Sequence, residues 1–358
     1  IPYILLIDPT SACNLKCTGC WASDYSKTAS LTYEKLDEIL TDAKKLGVYD
    51  IVFSGGEPLM RRDDILKLCK KHSKLSFAMF TNGTLIDESF ADEMVKLGNL
   101  NVFISIEGFR EKTDFRRGTG TFDKVSEVMD LLKSKGIGYG FSICYHSKNS
   151  EEISSDRFLD FLREKGAWIG WLFNYMPIGK DADTSLVATP EQRRMVYERI
   201  MDYQKRNDYT LIDFANMGHF AFGCVAAGNE YAHINSNGDL EPCAFFHYSD
   251  SNLNEVCLKK ALASPFYRHF RKLKPFSSNP FMPCPIMDNP DKLDELSKCA
   301  CVKSTHLQHP ESLYELSLKT KPVSLNWKPV ADKLHLKLDK NQKKKIKLFT
   351  KFLMFKEK

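Results

Sequence analysis

The chain has 358 residues, of which 43% are hydrophobic and 27% charged, a composition typical of a globular protein with one large and one smaller domain. No apolar run approaches the roughly 20 residues that a membrane-spanning helix needs. The net charge of +5 is local, because residues 340–358 contain eight lysines and one glutamate and leave the rest of the chain at −2. This distribution argues against a nucleic-acid-binding surface, so we expect no nucleic-acid partner.

An apolar strand is predicted at residues 3–8, and three cysteines follow it with the spacing CxxxCxxC. They are Cys13, Cys17 and Cys20, with Trp21 directly after them. Three thiolates this close together can wrap one face of an iron–sulfur cube, because soft sulfur ligands suit iron. A four-iron cube has one more iron than this loop has cysteines, so one iron stays open to a small molecule with an amine and a carboxylate. The alternative is a zinc site, although zinc sites usually show two separate CxxC pairs.

Strand-like and helix-like segments alternate through the first 209 residues. We predict strands at 3–8, 50–54, 76–81, 101–106, 137–144 and 168–175, with helices around 36–46, 65–71, 88–96, 122–135, 158–162 and 190–205. Six strand–helix units in series indicate a parallel sheet with helices outside it, which right-handed crossovers curl towards a barrel. Six units are too few for the closed eight-stranded barrel, so we expect an α/β fold with a partial (β/α)6 TIM-like barrel.

In such barrels the chemistry collects at the carboxyl ends of the strands. The cysteine loop, the run Gly55-Gly56-Glu57-Pro58 and Asn82 follow the first three predicted strands. We therefore expect them to lie close together.

The pattern changes after about Tyr209. Residues 230–243 predict a β-hairpin around the turn Ser236-Asn237-Gly238-Asp239, with Cys224 before it and Cys243 at its end. Further cysteines follow at Cys284, Cys299 and Cys301. We divide the chain into a barrel at 1–209, a small cysteine-rich domain at 210–310 and an extension with a basic tail at 311–358. A structural zinc ribbon is the alternative for the later cysteines, whereas Cys69 and Cys144 are predicted to be buried thiols.

The CxxxCxxC loop with its aromatic residue, together with Gly55-Gly56-Glu57-Pro58, resembles the radical S-adenosylmethionine (SAM) superfamily. The resemblance implies a [4Fe-4S] cluster on Cys13, Cys17 and Cys20, with SAM on the open iron. It implies reductive cleavage of SAM to a 5′-deoxyadenosyl radical, which abstracts hydrogen from a substrate C–H bond. A ferredoxin or flavodoxin is the electron donor that this chemistry generally uses.

The hairpin and the later cysteines resemble the SPASM and twitch auxiliary-cluster domains. The chain lacks the dense final run of cysteines of a full SPASM domain, so the resemblance implies one auxiliary [4Fe-4S] cluster. Its expected ligands are Cys224, Cys243 and Cys284, with one of Cys299, Cys301 and Cys257 as the fourth. Of these we carry Cys301 forward, and a site without a fourth cysteine stays open.

The same resemblance assigns residues around SAM. It places Gly55, Gly56 and Glu57 at the methionyl amine, Ser105 and Glu107 at the ribose, Arg116 or Arg117 at the carboxylate and Met176 at the adenine. The alternatives are a surface strand end for Ser105 and Glu107 and surface arginines at a helix. Tyr175, His146 and Asn174 lie near strand ends at the predicted mouth, where Tyr175 or His146 could relay a proton or an electron. Packed side chains are the simpler interpretation of all three.

Enzymes with this layout most often modify peptides or proteins, which makes a peptide or protein our first substrate class. The second is a lipid or other small molecule at a membrane surface. It rests on the tail, where Ile346, Phe349, Phe352 and Leu353 share one helical face among lysines, a pattern typical of contact with an anionic membrane. A solvated lysine tail is the simpler interpretation. A hypothesis of another class is a non-catalytic, cysteine-rich protein that senses metal or redox state.

Eleven cysteines are an odd number, and their spacing suits metal ligands better than disulfides. We therefore expect a reducing, cytoplasmic setting, with peripheral membrane contact if the tail binds lipid. No secretory signal is visible, and the start at Ile1 rather than Met suggests that the numbering begins inside a longer chain.

Overall fold

The computed structural model describes residues 1–22, 29–179, 182–221, 223–226, 230–299, 302–308 and 310–346. Its strands are β1 Ile4–Ile7, β2 Asp50–Phe53, β3 Ser76–Thr81, β4 Leu100–Ser105, β5 Tyr139–Tyr145, β6 Ala167–Asn174, β7 Thr210–Asp213, β8 Tyr231–Ile234, β9 Leu240–Glu241, β10 Tyr248–Ser249 and β11 Lys303–Ser304. Its α-helices are α1 Tyr33–Lys45, α2 Arg62–Lys71, α3 Glu88–Leu97, α4 Arg110–Arg117, α5 Thr121–Ser134, α6 Ser150–Ile153, α7 Asp156–Glu164, α8 Pro190–Asn207, α9 Gly218–Ala221, α10 Leu258–Ala261, α11 Pro265–Lys272, α12 Asp291–Ser297 and α13 Leu313–Lys337.

The main sheet confirms the predicted partial barrel. Nine strands run in the order β7-β6-β5-β4-β3-β2-β1-β8-β9. Neighbours from β1 to β7 are parallel, β8 is parallel to β1, and β9 is antiparallel to β8. The two ends of the sheet, β7 and β9, do not pair with each other, so the barrel stays open on one side.

Two features of this sheet differ from the sequence expectation. The four residues of β7 add a seventh strand to the parallel series, and this run is too short to stand out by its pattern. The predicted hairpin is present as β8 and β9, but it joins the edge of β1 and continues the barrel sheet. The expected boundary near residue 209 therefore falls within one continuous sheet.

Local signals explain where the outer helices begin. The Thr32 side chain accepts the backbone N–H of Lys35 at the start of α1. At the start of α8, Thr189 and Gln192 form a capping box, and Pro190 occupies the first turn, where its missing N–H costs nothing. Their buried faces cover the outside of the sheet.

Alternate residues of each strand point to opposite faces of the sheet, and this gives the barrel two different surfaces. On β1, Leu5 and Ile7 pack in the core under the helices, whereas Leu6 belongs to a separate cluster with Val52. The inner face of the barrel is therefore apolar as well.

The C-terminal part has its own apolar core. Phe246, Phe266 and Phe270 form it with residues of α12 and the start of α13, and the helix α13 rests on α12 and α8. Arg193 of α8 fastens this layer, because its guanidinium lies 4.1 Å from the ring centre of Trp327 and pairs with Asp288 at 2.7 Å.

The predicted amphipathic tail is only partly described. Ile346 packs near the end of α13, and Phe349, Phe352 and Leu353 lie outside the described residues. Among the helices that the structure does describe, none is long and apolar enough to cross a membrane.

Candidate active site

The three cysteines of the first motif converge after β1. Cys13 is exposed, and Cys17 and Cys20 are half-buried. Although part of Cys13 is open to solvent, the surrounding protein desolvates its thiol and raises the pKa to about 11, and the nearby charges of Glu57, Cys17 and Cys20 add to the increase. Burial also raises the pKa of Cys20, with a further contribution from Cys17. Thiols close enough to affect one another, on a loop open to solvent at one end, fit a cluster-binding loop.

Neighbouring elements hold this loop in place. The Asn82 side chain donates to Asn14 at 2.8 Å, and the backbone N–H of Thr18 donates to the carbonyl of Arg116 at 2.8 Å. Gly19 has a φ of +65°, and a Cβ there would lie 2.5 Å from the ring of Tyr175. The residue after β3, the helix α4 and the residue after β6 therefore all lie against the cysteine loop.

The Gly55-Gly56-Glu57 turn lies directly against the chain that carries Cys13. The backbone N–H of Gly56 donates to the carbonyl of Thr10 at 3.0 Å, and that of Glu57 donates to Ala12 at 2.8 Å. A Cβ on Gly56 would overlap the Ala12 carbonyl and lie 2.5 Å from the Ser11 oxygen. Glycine is required here because the two backbones touch. This close turn beside the thiols fits the methionyl end of SAM.

Glu57 is buried and holds two strand ends together. Its Oε1 accepts the Leu59 backbone N–H at 3.0 Å and the Thr81 hydroxyl at 2.7 Å, while Oε2 accepts the Asn82 backbone N–H at 2.8 Å. Burial raises the pKa of Glu57, and these hydrogen bonds work against the increase. The carboxylate thus fixes the ends of β2 and β3 beside the cysteine loop.

Glu107 organises two arginines at the same end of the barrel. Its Oε1 accepts from Arg116 at 2.8 Å and from Arg117 at 2.6 Å, and its Oε2 accepts the backbone N–H of Cys144 at 2.9 Å. Arg117 Nη1 lies 4.0 Å from Cys17 Sγ. Glu107 is completely buried behind the arginines, whereas Arg116 and Arg117 both line the central cavity. The arginines are thus the charged groups that a bound anion would meet.

The remaining predicted residues divide into two groups. Ser105 and Met176 line the cavity, and Ser105 Oγ lies 3.1 Å from Ser142 Oγ. Tyr175 and His146 are buried and are not among the residues that line the cavity. Burial raises the pKa of Tyr175 to about 12 and lowers that of His146 to about 4, so both are neutral at pH 7. Their expected relay roles stay predictions. Asn174 is also buried.

One large cavity connects these groups with the C-terminal cysteines. Its volume is about 1,070 Å³, at the upper end of the range for small-molecule sites. Its lining includes Arg116 and Arg117 near the first set of cysteines, and Cys224, Cys243 and Cys284 of the second set. Much of the rest is apolar and aromatic, including Leu6, Val52, Phe80, Trp171, Phe173 and Phe245.

The second set of cysteines comes from three distant segments. Burial raises the pKa of Cys243 to about 12, and the charge of Cys224 adds to it. Burial likewise raises the pKa of Cys284, and the nearby charges of Cys224 and Cys243 add to the increase. Asp288 accepts the backbone N–H of Cys284 at 3.0 Å and, through its salt bridge to Arg193, ties this segment to α8. The convergence of three thiols fits a second cluster.

The fourth ligand of that site stays open. Cys299 is half-buried in the same apolar core, Cys257 is exposed at the start of α10, and Cys301 lies outside the described residues. Within the described ranges, no three His, Cys, Asp or Glu side chains are arranged to hold a single metal ion. None of the described cysteines forms a disulfide.

The sequence did not reveal a buried charged network beneath Trp21. His233 Nε2 lies 2.9 Å from Asp8 Oδ2, and His233 Nδ1 lies 2.7 Å from Glu241 Oε2. The ring of His247 stacks on Trp21 at 5.9 Å. Only the topology brings these residues together, because the network joins β1 to the hairpin. Cys144 also differs from expectation, since it is half-buried and lines the cavity, whereas Cys69 is buried as predicted.

Comparisons with known proteins agree with this geometry. Residues 7–159 match the model of the Radical SAM superfamily, and residues 224–285 match that of an iron–sulfur cluster-binding domain, SPASM. The AdoMet-dependent heme synthase of Methanosarcina barkeri is 23% identical over 76% of this chain and 85% of its own length. A probable GTP 3′,8-cyclase of Methanocella arvoryzae is 33% identical over 74% of this chain and 91% of its own.

Among solved structures, SuiB of Streptococcus suis bound to its precursor peptide SuiA has a TM-score of 0.65 at 21% identity. The match covers 76% of this chain and 67% of SuiB, and shows a shared fold.

The fold and the site define an enzyme that uses an iron–sulfur cluster and SAM inside a partial barrel. The chain belongs to the radical SAM superfamily and carries a SPASM domain. Its cofactors are therefore a SAM-binding [4Fe-4S] cluster, SAM and auxiliary iron–sulfur chemistry in the SPASM domain. The hypothesis of a non-catalytic metal-sensing protein is set aside.

Proposed function

We propose that this enzyme cleaves SAM at the Cys13, Cys17 and Cys20 loop and removes hydrogen from a C–H bond of a peptide or protein. The observation that carries the proposal is that one largely apolar cavity is lined both by the two arginines beside this loop and by Cys224, Cys243 and Cys284. A cavity of this size has room for SAM and for part of a second molecule. A ferredoxin or flavodoxin in a reducing cytoplasm would supply the electron.

When bound, the cluster and SAM supply one-electron cleavage to methionine and a 5′-deoxyadenosyl radical. The task of the chain is to orient SAM and the substrate and to exclude water. Gly55 and Gly56 offer close backbone contact, and Arg116 and Arg117 offer positive charge at the carboxylate end. The apolar lining keeps solvent away from the reacting carbon, and no acid or base is needed for hydrogen abstraction itself.

The free edge of β7 supports a peptide substrate. Five consecutive residues, 210–214, line the cavity, and alternate side chains alone would contribute only every second one. The edge of the strand therefore faces the cavity. The backbone N–H of Phe214 donates to β6, whereas that of Leu211 points the other way and donates to the side chain of Gln204 at 2.9 Å.

An extended peptide could displace Gln204 and pair with the backbone of Leu211, as peptides do when they extend a sheet. The relative SuiB, solved with a precursor peptide, adds support of a different kind. The apolar cavity then favours reaction at an aliphatic or aromatic side chain of that peptide, because a charged side chain would lose its hydration there.

Deuterium transfer tests the proposal directly on mixtures of cellular molecules. Cells of the source organism are grown in deuterated medium, and their peptide, protein and lipid fractions are separated. Each fraction is incubated anaerobically with reconstituted enzyme, dithionite and unlabelled SAM. We expect 5′-deoxyadenosine with a mass increase of one unit from the peptide or protein fraction. Label only from the lipid fraction would refute the peptide assignment, and absence of any 5′-deoxyadenosine would refute the activity.

A second candidate is an apolar lipid-like substrate at an anionic membrane. It is favoured by a stripe on α13, where Tyr314, Leu318, Leu325 and Leu336 are each more than half exposed. Their spacing of 4, 7 and 11 residues places them on one helical face. Lys321 and Lys328 lie on the same face, an arrangement that suits anionic lipid.

Vesicle binding separates this candidate from the first. The substitutions Leu318→Glu and Leu325→Glu are compared with Leu307→Glu, which changes an equally exposed leucine outside α13. If the stripe binds membrane, the double variant Leu318→Glu, Leu325→Glu loses co-sedimentation with phosphatidylglycerol vesicles, and Leu307→Glu does not. Equal sedimentation of the parent protein and both variants would remove the support for this candidate.

A further inference from the structure

Tyr231 lines the central cavity beside the second set of cysteines. It is the first residue of β8 and packs edge-on against Phe214 with 6.2 Å between ring centres. Its hydroxyl donates a hydrogen bond to Cys243 Sγ at 2.7 Å. The side chain is thus held by packing on one side and by a sulfur on the other.

The register of the hairpin explains this contact. His233 pairs with Glu241 across the antiparallel β8 and β9. Tyr231 is two residues before His233, and Cys243 is two residues after Glu241, so antiparallel pairing places Tyr231 opposite Cys243. Since facing side chains of a hairpin lie on the same face, the fold brings the phenol to the sulfur regardless of the loops around it.

The Tyr231 hydroxyl differs from the other donors at this site. Backbone N–H groups of Ala226, Phe245 and Met287 approach the sulfurs of Cys224, Cys243 and Cys284 respectively. Among the described residues, only Tyr231 adds a side-chain hydrogen bond to any of these three sulfurs. Lys274, whose charge lowers the pKa of Cys224, contributes positive potential from another side.

We propose that Tyr231 is a positioning residue that raises the reduction potential of the auxiliary cluster through its hydrogen bond to Cys243. The inference rests on the assignment of Cys224, Cys243 and Cys284 as ligands. A hydrogen bond to a ligand sulfur stabilises the reduced state, which carries one more negative charge. Tyr231 therefore makes the auxiliary centre easier to reduce.

The test is a redox titration of Tyr231→Phe followed by electron paramagnetic resonance. It is performed in full-length protein that also carries Cys13→Ala, Cys17→Ala and Cys20→Ala, so that only the auxiliary cluster contributes signal. The matched control is Tyr209→Phe, which also lines the cavity but donates to the Ala167 carbonyl at 2.7 Å. Both variants retain Lys274.

At a fixed potential we expect the ratio of reduced to oxidised auxiliary cluster to fall about tenfold in Tyr231→Phe, equivalent to about 59 mV for one electron. The ratio should be unchanged in Tyr209→Phe. Equal ratios in Tyr231→Phe and its parent would overturn the proposal.

Fluorotyrosine at position 231 provides a second arm that keeps the cluster and the ring. A more acidic phenol is a stronger donor, so the reduced fraction should rise; a reduced fraction that stays constant or falls would overturn the proposal even if Tyr231→Phe assembled poorly. Iron content is measured first in the parent and after Cys224→Ala, Cys243→Ala and Cys284→Ala. If that triple change removes no iron, the ligand assignment has failed, and the role of Tyr231 at this cluster fails with it for a separate and recognisable reason.

Discussion

The two cysteine sites are built in opposite ways. Cys13, Cys17 and Cys20 lie within eight residues on a loop that is open at Cys13 and flanked by Arg116 and Arg117. Cys224, Cys243 and Cys284 come from segments up to 60 residues apart and pack against an apolar core. The first site offers an exposed end and positive charge for a ligand, and the second offers burial and a tyrosine hydrogen bond. The contrast suggests that one site reacts and the other transfers or stores an electron.

The largest expected effects come from replacing each set of cysteines in turn. Replacement of Cys13, Cys17 and Cys20 by alanine should abolish 5′-deoxyadenosine formation, because the iron to which SAM binds is lost. Replacement of Cys224, Cys243 and Cys284 should leave dithionite-driven SAM cleavage measurable while about four iron atoms per chain are lost. Iron counting and chromatography of the products check both outcomes. If the second variant also lost all SAM cleavage while keeping the first cluster, the division of roles would be wrong.

A single methyl group in the Gly55-Gly56-Glu57 turn should have the next largest effect. In Gly56→Ala the new Cβ overlaps the Ala12 carbonyl, so the turn must move away from the cysteine loop. We expect SAM cleavage to fall about 100-fold, the order of loss that a small misplacement produces. The control is Gly138→Ala, whose Cβ would meet nothing closer than 3.6 Å. Similar rates in the two variants would show that the close approach of the backbones is not needed.

The predictability of the two sites differs for a physical reason. The first could be identified from sequence because its ligands are local and its partner turn, Gly55-Gly56-Glu57, ends the adjacent strand. The second could be predicted only as a set of cysteines, since neither Tyr231 nor Asp288 belongs to a local motif. Periodicity likewise predicted six strands of the barrel and missed β7, whose four residues are identified as a strand by pairing with β6.

Sequence also assigned residues without showing what they contact. Glu107 was expected at the ribose, yet its oxygens are occupied by Arg116, Arg117 and the backbone of Cys144. A residue type at a strand end predicts proximity to the site. Which neighbours satisfy its hydrogen bonds is decided by side chains of α4 and a backbone N–H of β5 that no spacing rule connects to it.

Loss of the Glu107 charge should destabilise the folded protein more than loss of an exposed carboxylate. Glu107→Gln leaves two largely buried guanidinium groups without their carboxylate, so we expect the free energy of unfolding to fall by about 3 kcal/mol. In the control Glu111→Gln, the carboxylate is exposed and pairs with Lys112, so stability should change far less than in Glu107→Gln. Anaerobic urea unfolding measures both. Equal stabilities would mean that the arginines are compensated in another way.

The smallest expected effect concerns the network that joins the two sites. His233 lies between Asp8, directly after the strand that leads to the first cysteines, and Glu241, on the hairpin that leads to Cys243. Burial lowers the pKa of His233, but the two carboxylates outweigh this and raise it to about 10. A raised pKa means that the protonated imidazole stabilises the folded state. That stabilisation is complete below the unfolded value of about 6.5 and is lost as the pH rises towards 10.

We therefore expect the unfolding free energy of the holoenzyme to decline between pH 7 and pH 9.5, as the stabilisation from the protonated His233 is lost. His233→Gln should be less stable at pH 7 and should show a flatter decline, because the neutral amide has no proton to lose. His146→Gln is the control for loss of a buried imidazole, since the pKa of His146 is lowered to about 4 and its titration lies far from this window. If all three proteins lost stability in parallel between pH 7 and pH 9.5, His233 would not be the charged link between the sites. The loss of unfolding free energy at alkaline pH would then come from titratable groups outside this network.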